Sequence, residues 1–429
     1  MYYNMGMIYL DHAAATPVDK RVLEAMKPYF TERFFNPSAA YLPAKEVSSD
    51  YEAAKNTIAH AIGVKGSDLI ITAGATEANN LAFTSLSNKF SDEARRCSSF
   101  SERSLAPVVT GLGRSGIAPS AIMLLEREHP SCHRILYLIT EHDSVRHVAE
   151  RYGGEAIKVL PNGIIDLDDL KKKITDETEL ISVSLANNEL GTVQPLAEVA
   201  SIIREIKIER MKRGIKKQLL LHSDASQALN LLDINVARLG VDLLTLNAGK
   251  IYGPKGVGAL YVSHDVKLKP LTLGGGQENG LRSGTENVPG VIGFAKAMEL
   301  AKKHLNGNRK KYVNWRKILL TELQGYELIN HKHVLDNFMV LCYNGIDAER
   351  LVFLLEEKGV YVATGAACAA SKGVRSHVLE AIGLSDEQIA GSLRITLGET
   401  NDEDQIHEAV KIINEIVKNE YQRIKALSR

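Results

Sequence analysis

Cysteine is scarce in this chain: four residues in 429, at Cys97, Cys132, Cys342 and Cys368, with no CxxC pair among them. That spacing argues against a disulfide framework and against a structural zinc site, and a reducing cytoplasm is the expected setting. Net charge is also missing, because 52 basic side chains balance 52 acidic ones. No global field therefore favours nucleic acid or an anionic membrane, and neither is expected as a direct partner. No apolar run approaches the roughly 18 to 20 residues that span a bilayer. Met1 to Leu10 lacks a basic region followed by an apolar stretch, so it does not read as a signal peptide. What remains is an ordinary globular composition, 45% hydrophobic and 24% charged, long enough for two or three domains.

Between about residues 69 and 262, short β-rich runs alternate with helical stretches. The strand candidates are Leu69–Thr72, Ile135–Thr140, Ala156–Leu160, Leu180–Ala186, Gln218–His222, Asp242–Leu246 and Val257–Val262. Helical stretches such as Glu77–Leu86 and Leu196–Lys212 lie between them. This alternation predicts an α/β fold with a mostly parallel, seven-stranded sheet covered on both faces. Ligands of such sheets bind at the carboxyl ends of the strands. After residue 290, amphipathic stretches at Val291–His304, Tyr312–Leu323, Ala348–Lys358 and Asp402–Leu427 frame short strands near Phe338–Tyr343 and Leu393–Leu397. They predict a smaller α+β C-terminal domain. The expected division is residues 1–15 packing near that domain, 16–290 as the large domain, and 291–429 as the small one. Residues 87–134 have little periodicity and read as a surface insertion.

Lys250 follows a strand candidate and leads into the Gly- and Pro-rich turn Tyr252-Gly253-Pro254-Lys255-Gly256. A partly desolvated lysine there can form a Schiff base, although a lone turn lysine is ordinarily a surface residue. Asp224 stands 26 positions earlier at another strand end, where a carboxylate can pair with a protonated pyridine nitrogen or simply cap a helix. Ala73-Gly74-Ala75-Thr76 opens a helix after the first strand, and small residues with a threonine there make a phosphate cup. Thr76 could equally be only a helix cap. The glycine-rich turn from Gly274 to Thr285 exceeds what packing alone requires. Cys368 sits among Gly and Ala in a segment of little side-chain bulk, as a thiol that must move would require.

With these motifs in view, the chain resembles the cysteine desulfurases of the NifS/IscS type. These are class V members of the fold-type I pyridoxal-phosphate-dependent transferases. The likeness is carried in order by YLDHAAATPV, FNPSA, TAGATEANN, TEHDSV, NGIIDL, NNELGTVQP, HSDASQA, KIYGPKGVGALYV, GGGQENGLRSGTENV, TGAACAAS and SLRITLG. The insertion before Arg134 is the main interruption.

Position by position, the resemblance implies that Lys250 holds pyridoxal 5'-phosphate covalently, and that Asp224 pairs with its ring nitrogen. Gln227 would bond the ring's phenolic oxygen, and His142 would stack on the ring and help move protons. Ala75, Thr76 and Asn247 would hold the phosphate. Asn188 would contact cofactor and substrate carboxylate, and Arg394 would clamp that carboxylate. Cys368 would receive the sulfur of L-cysteine as a persulfide, with alanine as co-product. Thr285 would reach the phosphate of a partner subunit, which implies a homodimer. The expected sulfur acceptor is an iron–sulfur scaffold or a tRNA-thiolation enzyme. Gly249, Asn247 and Gln277 stand where the family usually has His, Ser and His, which bears on cofactor affinity. His12 is expected near the substrate without a defined role. Selenocysteine lyase, another class V lyase or aminotransferase, and a sulfur-transfer partner with weakened catalysis remain open readings at this point.

Overall fold

Every strand candidate before residue 290 becomes a strand of one sheet in the computed structural model, which describes residues 6–84, 135–330, 332–365 and 375–427. Cys97, Cys132, Cys368 and the expected insertion at 87–134 lie outside the described residues.

The chain enters through a two-residue strand, β1 (Ile8–Tyr9). The large sheet uses β2 (Leu69–Thr72), β3 (Ile135–Leu138), β4 (Glu155–Ile157), β5 (Leu180–Ser182), β6 (Leu220–Asp224), β7 (Leu243–Asn247) and β8 (Gly258–Val262). Their order is β2-β8-β7-β6-β5-β3-β4, and only β8 runs against the rest. Strands β2, β3, β5 and β6 are buried at every position, as a sheet covered on both faces demands. The ends of β2, β3, β5, β6 and β7 thus lie along one edge, which gathers Ala73–Thr76, His142, Asn188, Asp224 and Lys250 from distant parts of the sequence.

The second sheet contains β9 (Glu327–Leu328), β10 (Phe338–Cys342), β12 (Ala363–Thr364) and β13 (Ser392–Thr396), all antiparallel. Between its members in sequence, β11 (Val360–Tyr361) pairs in parallel with β1. That pairing lays the N-terminal segment along β13, where Asp11 bridges to Thr396. Leu341 and Cys342 are fully buried in the sheet, and burial pushes the Cys342 thiol up to about 11, so it stays protonated.

One helical expectation needs correcting. Val291–His304 and Tyr312–Leu323 read as two helices, but they are parts of a single helix, Val288–Glu322, 35 residues long. The Asn306-Gly307-Asn308 stretch inside it has low helix propensity. Tertiary contact overrides it: Asn308 is buried and donates to Glu399 Oε1 at 2.9 Å, while Tyr312, Trp315 and Leu319 continue the buried stripe. This helix packs against both Leu42–Ala61 and Glu403–Leu427.

Candidate active site

A cavity of about 620 Å³ opens beside the ends of β2 and β7. Its wall is mostly small: Ala14, Ala15, Ala73, Gly74, Ala75, Thr76, Gly249 and Gly256, with Glu77, Asn80, Asn247, Lys250, Lys255 and Leu271 completing it. The helix Ala75–Thr84 begins there. A helical first turn leaves N–H groups without intrahelical partners, which suits an anion. Close backbone packing shapes the cup, since a Cβ at Gly258 would stand 2.8 Å from Gly74 Cα. Gly74 also has φ +141°, in the region L side chains avoid. Glu77 is occupied: it accepts from Ala73 N at 2.6 Å and from Arg282 Nε at 3.0 Å.

Lys250 closes the inner end of this cavity. Strand β7 stops at Asn247, whose Oδ1 accepts from Gly249 N at 3.0 Å and caps the tight turn Ala248–Lys250. Lys250 Nζ donates to Ala13 O and Ala14 O, each at 2.7 Å. Gln227 Nε2 donates to the same Ala13 O at 3.0 Å, so Gln227 and Lys250 converge. Thr16 ties the N-terminal segment to the turn, donating to Gly249 O at 3.2 Å and accepting from Tyr252 N at 2.9 Å. Tyr252 is buried with φ 62°, strain that these surrounding contacts hold in place. Its hydroxyl lies 3.3 Å from His12 Nδ1, and burial lowers His12 to about 4, leaving that ring neutral.

Behind the cavity, polar side chains connect, running from buried Asp224 and Asn79 to half-buried Ser144 and exposed His142. Asp224 ends β6; its Oδ2 accepts from Asn79 Nδ2 and its Oδ1 from Ser226 N, both at 2.9 Å. The Asn79 amide also reaches Ser144 Oγ at 2.9 Å, and Ser144 Oγ lies 2.9 Å from His142 Nδ1. Ser144 N donates to that Nδ1 at 3.1 Å. Nδ1 is therefore an acceptor, and a neutral His142 carries its proton on Nε2. A second chain lies deeper. Glu141 Oε1 accepts from Ser184 N at 2.7 Å and from Ser182 Oγ at 3.3 Å. Ser182 Oγ meets His222 Nδ1 at 2.8 Å, and His222 Nε2 meets Thr245 Oγ1 at 3.1 Å. Burial, with the nearby Asp224 charge, pushes Glu141 up to about 8, while burial lowers His222 to about 4. Both are neutral near pH 7. Among the described residues Asp224 has no ion-pair partner.

Arg394, central in β13, meets the N-terminal segment at Asp11. Its Nη1 donates to Asn188 O at 2.8 Å, and its Nη2 pairs with Asp11 Oδ1 at 2.6 Å. Its Nε is buried and has no acceptor among the described residues. Asn188 thus meets Arg394 through its backbone carbonyl. Thr285 is exposed and lines a separate cavity of about 120 Å³ that shares Ala73 and Gly256 with the larger one.

The described part of this arrangement has relatives. A model of the class-V aminotransferase family matches residues 8–97 and 120–408. The chain belongs to that family. It is 35% identical over 419 residues to the cysteine desulfurase IscS of Dictyoglomus turgidum, covering 96% of this chain and 94% of that one. It is 34% identical over 424 residues to the IscS of Methanosarcina thermophila, covering 96% and 92%. Among solved structures, a NifS-like protein superposes with a TM-score of 0.79 at 30% identity, covering 96% of this chain and 99% of that one. SspA, solved in complex with cysteine, gives a TM-score of 0.71 at 29% identity, with 91% and 98% covered.

Class-V aminotransferases depend on pyridoxal phosphate, and the residues present fit it. Asp224 is a buried carboxylate without a cation among the described residues, which a protonated pyridine nitrogen would supply. The helix start at Ala75–Thr76 suits a phosphate, and Lys250 lines the same cavity with an amine for the aldehyde.

Three participants were not read from the sequence. Asp11 was passed over beside His12, although it is the residue paired with Arg394. Asn79 was not singled out, yet a fully buried Asn among Ala78, Leu81 and Ala82 breaks the apolar face of its helix and is a visible signal. Glu141 was treated only as a neighbour of His142. A carboxyl ending an apolar strand run was the available clue.

Proposed function

We propose that this chain is a cysteine desulfurase, converting L-cysteine to L-alanine and passing the sulfur to Cys368. The reading is carried by the junction at Ala13 O. There Lys250 and Gln227 converge at 2.7 and 3.0 Å, while the uncompensated Asp224 ends the strand beside β7.

In this reading Lys250 anchors the cofactor and, once the substrate amine has displaced it, takes the proton from the substrate Cα. Asp224 keeps the ring nitrogen protonated, so that bound pyridoxal phosphate supplies a sink for the electron pair left at Cα. The Asn79–Ser144 chain would orient Asp224 and His142 together, with His142 helping to move protons at the bound cofactor. Ala75, Thr76 and Asn247 hold the phosphate, and Thr285 serves the partner subunit's site in a homodimer. Arg394 binds the substrate carboxylate beside Asn188, using its unpartnered Nε and the Nη2 now shared with Asp11.

The Cys368 thiolate attacks the substrate sulfur. A new S–S bond forms and the substrate Cβ–S bond breaks. Its electron pair returns to carbon, which takes up protons to become the methyl group of alanine. L-Cysteine plus the Cys368 thiol gives L-alanine plus a Cys368 persulfide, with no outside oxidant. The described chain leads toward Cys368 from beside Arg394. Gly365 N donates to Ser392 O at 2.7 Å, two residues before Arg394.

The chain division follows the same lines: residues 16–290 hold the cofactor and 291–429 carry Cys368 and Arg394. Residues 1–15 pack beside the latter, which the β1–β11 pairing supports. A cytoplasmic sulfur acceptor, such as an iron–sulfur scaffold or a tRNA-thiolation enzyme, would take the persulfide onward. Among the described residues no helix is long and apolar enough to cross a membrane.

The test is to mix pure protein with L-cysteine and follow alanine and protein-bound persulfide together. Both should appear in equal amounts in the first turnover. Cys368→Ser should lose both while keeping the cofactor's absorbance. Sulfide release unchanged by Cys368→Ser would contradict the persulfide route.

A further inference from the structure

The charged residues lining the large cavity are Glu77, Lys250 and Lys255. A phosphate monoester brings a charge of about −1.5 to −2 into it at neutral pH. Under the proposed function, on which this inference rests, the Lys250 amine is committed to the aldehyde carbon and leaves the phosphate end. Glu77 adds an opposing carboxylate at the first turn of the cup helix, and its charge is already matched by Arg282 at 3.0 Å. The remaining cation of the lining is Lys255, which is exposed and makes no hydrogen bond or ion pair with the described residues.

Gly249 explains how Lys255 comes to share this wall. Its φ is not in the left-handed region, so the backbone does not require glycine there. A Cβ built on it would make ordinary contacts, 3.4 Å to Asn247 Oδ1 and 3.6 Å to Lys255 Cγ. Any longer side chain at 249 would compete with the stem of Lys255 for that space. Asn247 can offer the phosphate only its Nδ2, since its Oδ1 accepts from Gly249 N at 3.0 Å, and an amide brings no charge. We propose that Lys255 is a phosphate-binding residue of this site, its stem lying in the space that Gly249 leaves open and its ammonium balancing the cofactor's phosphate.

The test uses the full chain freed of cofactor, titrated with pyridoxal phosphate and, separately, with pyridoxal, which has the same ring and aldehyde without the phosphate. Kd is read from the absorbance change on binding. Lys255→Met should weaken pyridoxal phosphate binding about tenfold at low salt, as expected for a charge-assisted contact near the surface. Pyridoxal binding should stay unchanged, and the loss should shrink at about 0.5 M salt because the Debye length falls to a few ångströms. Lys255→Arg should bind within about twofold of the parent, and Lys255→Gln should repeat the Met result should the Met variant misfold. Parent-like binding of pyridoxal phosphate by both neutral variants would overturn the proposal. So would an equal loss for both ligands, which would mark a structural role. A parent chain that takes up neither ligand would instead remove the proposed function, and the role of Lys255 with it.

Discussion

Around Asp224 and Glu141 the protein works mostly with buried side chains, whereas around Thr76 and Lys255 it uses backbone, alanine and glycine at the edge of solvent. The buried half spends its polar groups on one another: Asn79 bridges Asp224 to Ser144, and Ser182 bridges Glu141 to His222. Such networks fix one geometry and one protonation state, because every lost partner leaves a desolvated group behind. The open half holds little in place and leaves room for a ligand. Proton chemistry needs the first kind of construction, and binding and release need the second.

This contrast can be broken at its strongest point. Asp224→Asn should lower kcat for alanine formation by roughly 10²- to 10³-fold, since it removes the charge aimed at the ring nitrogen. Calorimetry on the cofactor-free protein should show a smaller loss of melting temperature than Asn79→Ala, because the hydrogen bond given up is offset by removing an uncompensated buried charge. A drop in stability with kcat preserved would make Asp224 a structural residue.

Asn79→Ala should have an intermediate effect. It strips a donor from Asp224 and from Ser144 at once, at a cost of about 1–3 kcal/mol in denaturant unfolding. It should also lower kcat about tenfold. Loss of stability without loss of rate would uncouple the network from catalysis.

The smallest effect is a pH slope. Folded Glu141 keeps its proton up to about 8, whereas an unfolded glutamate loses it near 4.5. The folded chain therefore binds more protons between those values, and stability falls as pH rises through that window. His12 and His222, both lowered to about 4, act oppositely: they remove stability as pH falls below 6.5. Between pH 6.5 and 8, Glu141→Gln should flatten the decline by an amount on the order of 1 kcal/mol per pH unit. Lys255→Met, in the open half, should leave the slope as it is. Identical slopes for the parent and Glu141→Gln would show that this carboxyl is not held protonated.

Much of the scaffold was legible because buried parallel strands read as continuous apolar runs. Leu69–Thr72 keeps its limits in the structure. Strand β6 runs two residues past His222, through the polar Ser223 and Asp224. Asp224 finds Asn79 on a helix 145 positions earlier, which local pattern cannot supply. Thr76 and Lys250 were legible as cap and turn residues, Ala75 and Asn247 through the family resemblance, and all four line one cavity. The pairing of Asp11 with Arg394 was not, since 383 positions separate them and only the laying of β1 beside β11 brings them together. Fusion of two helical stretches into Val288–Glu322 depended likewise on Asn308 finding Glu399.

The central claim concerns one amine at the meeting point of the two halves. Purified chain incubated with pyridoxal phosphate, reduced with borohydride, digested and analysed by mass spectrometry should carry one pyridoxyl group, on Lys250. Labelling of Lys255 or scattered surface lysines in its place, or no stable label at all, would contradict the account.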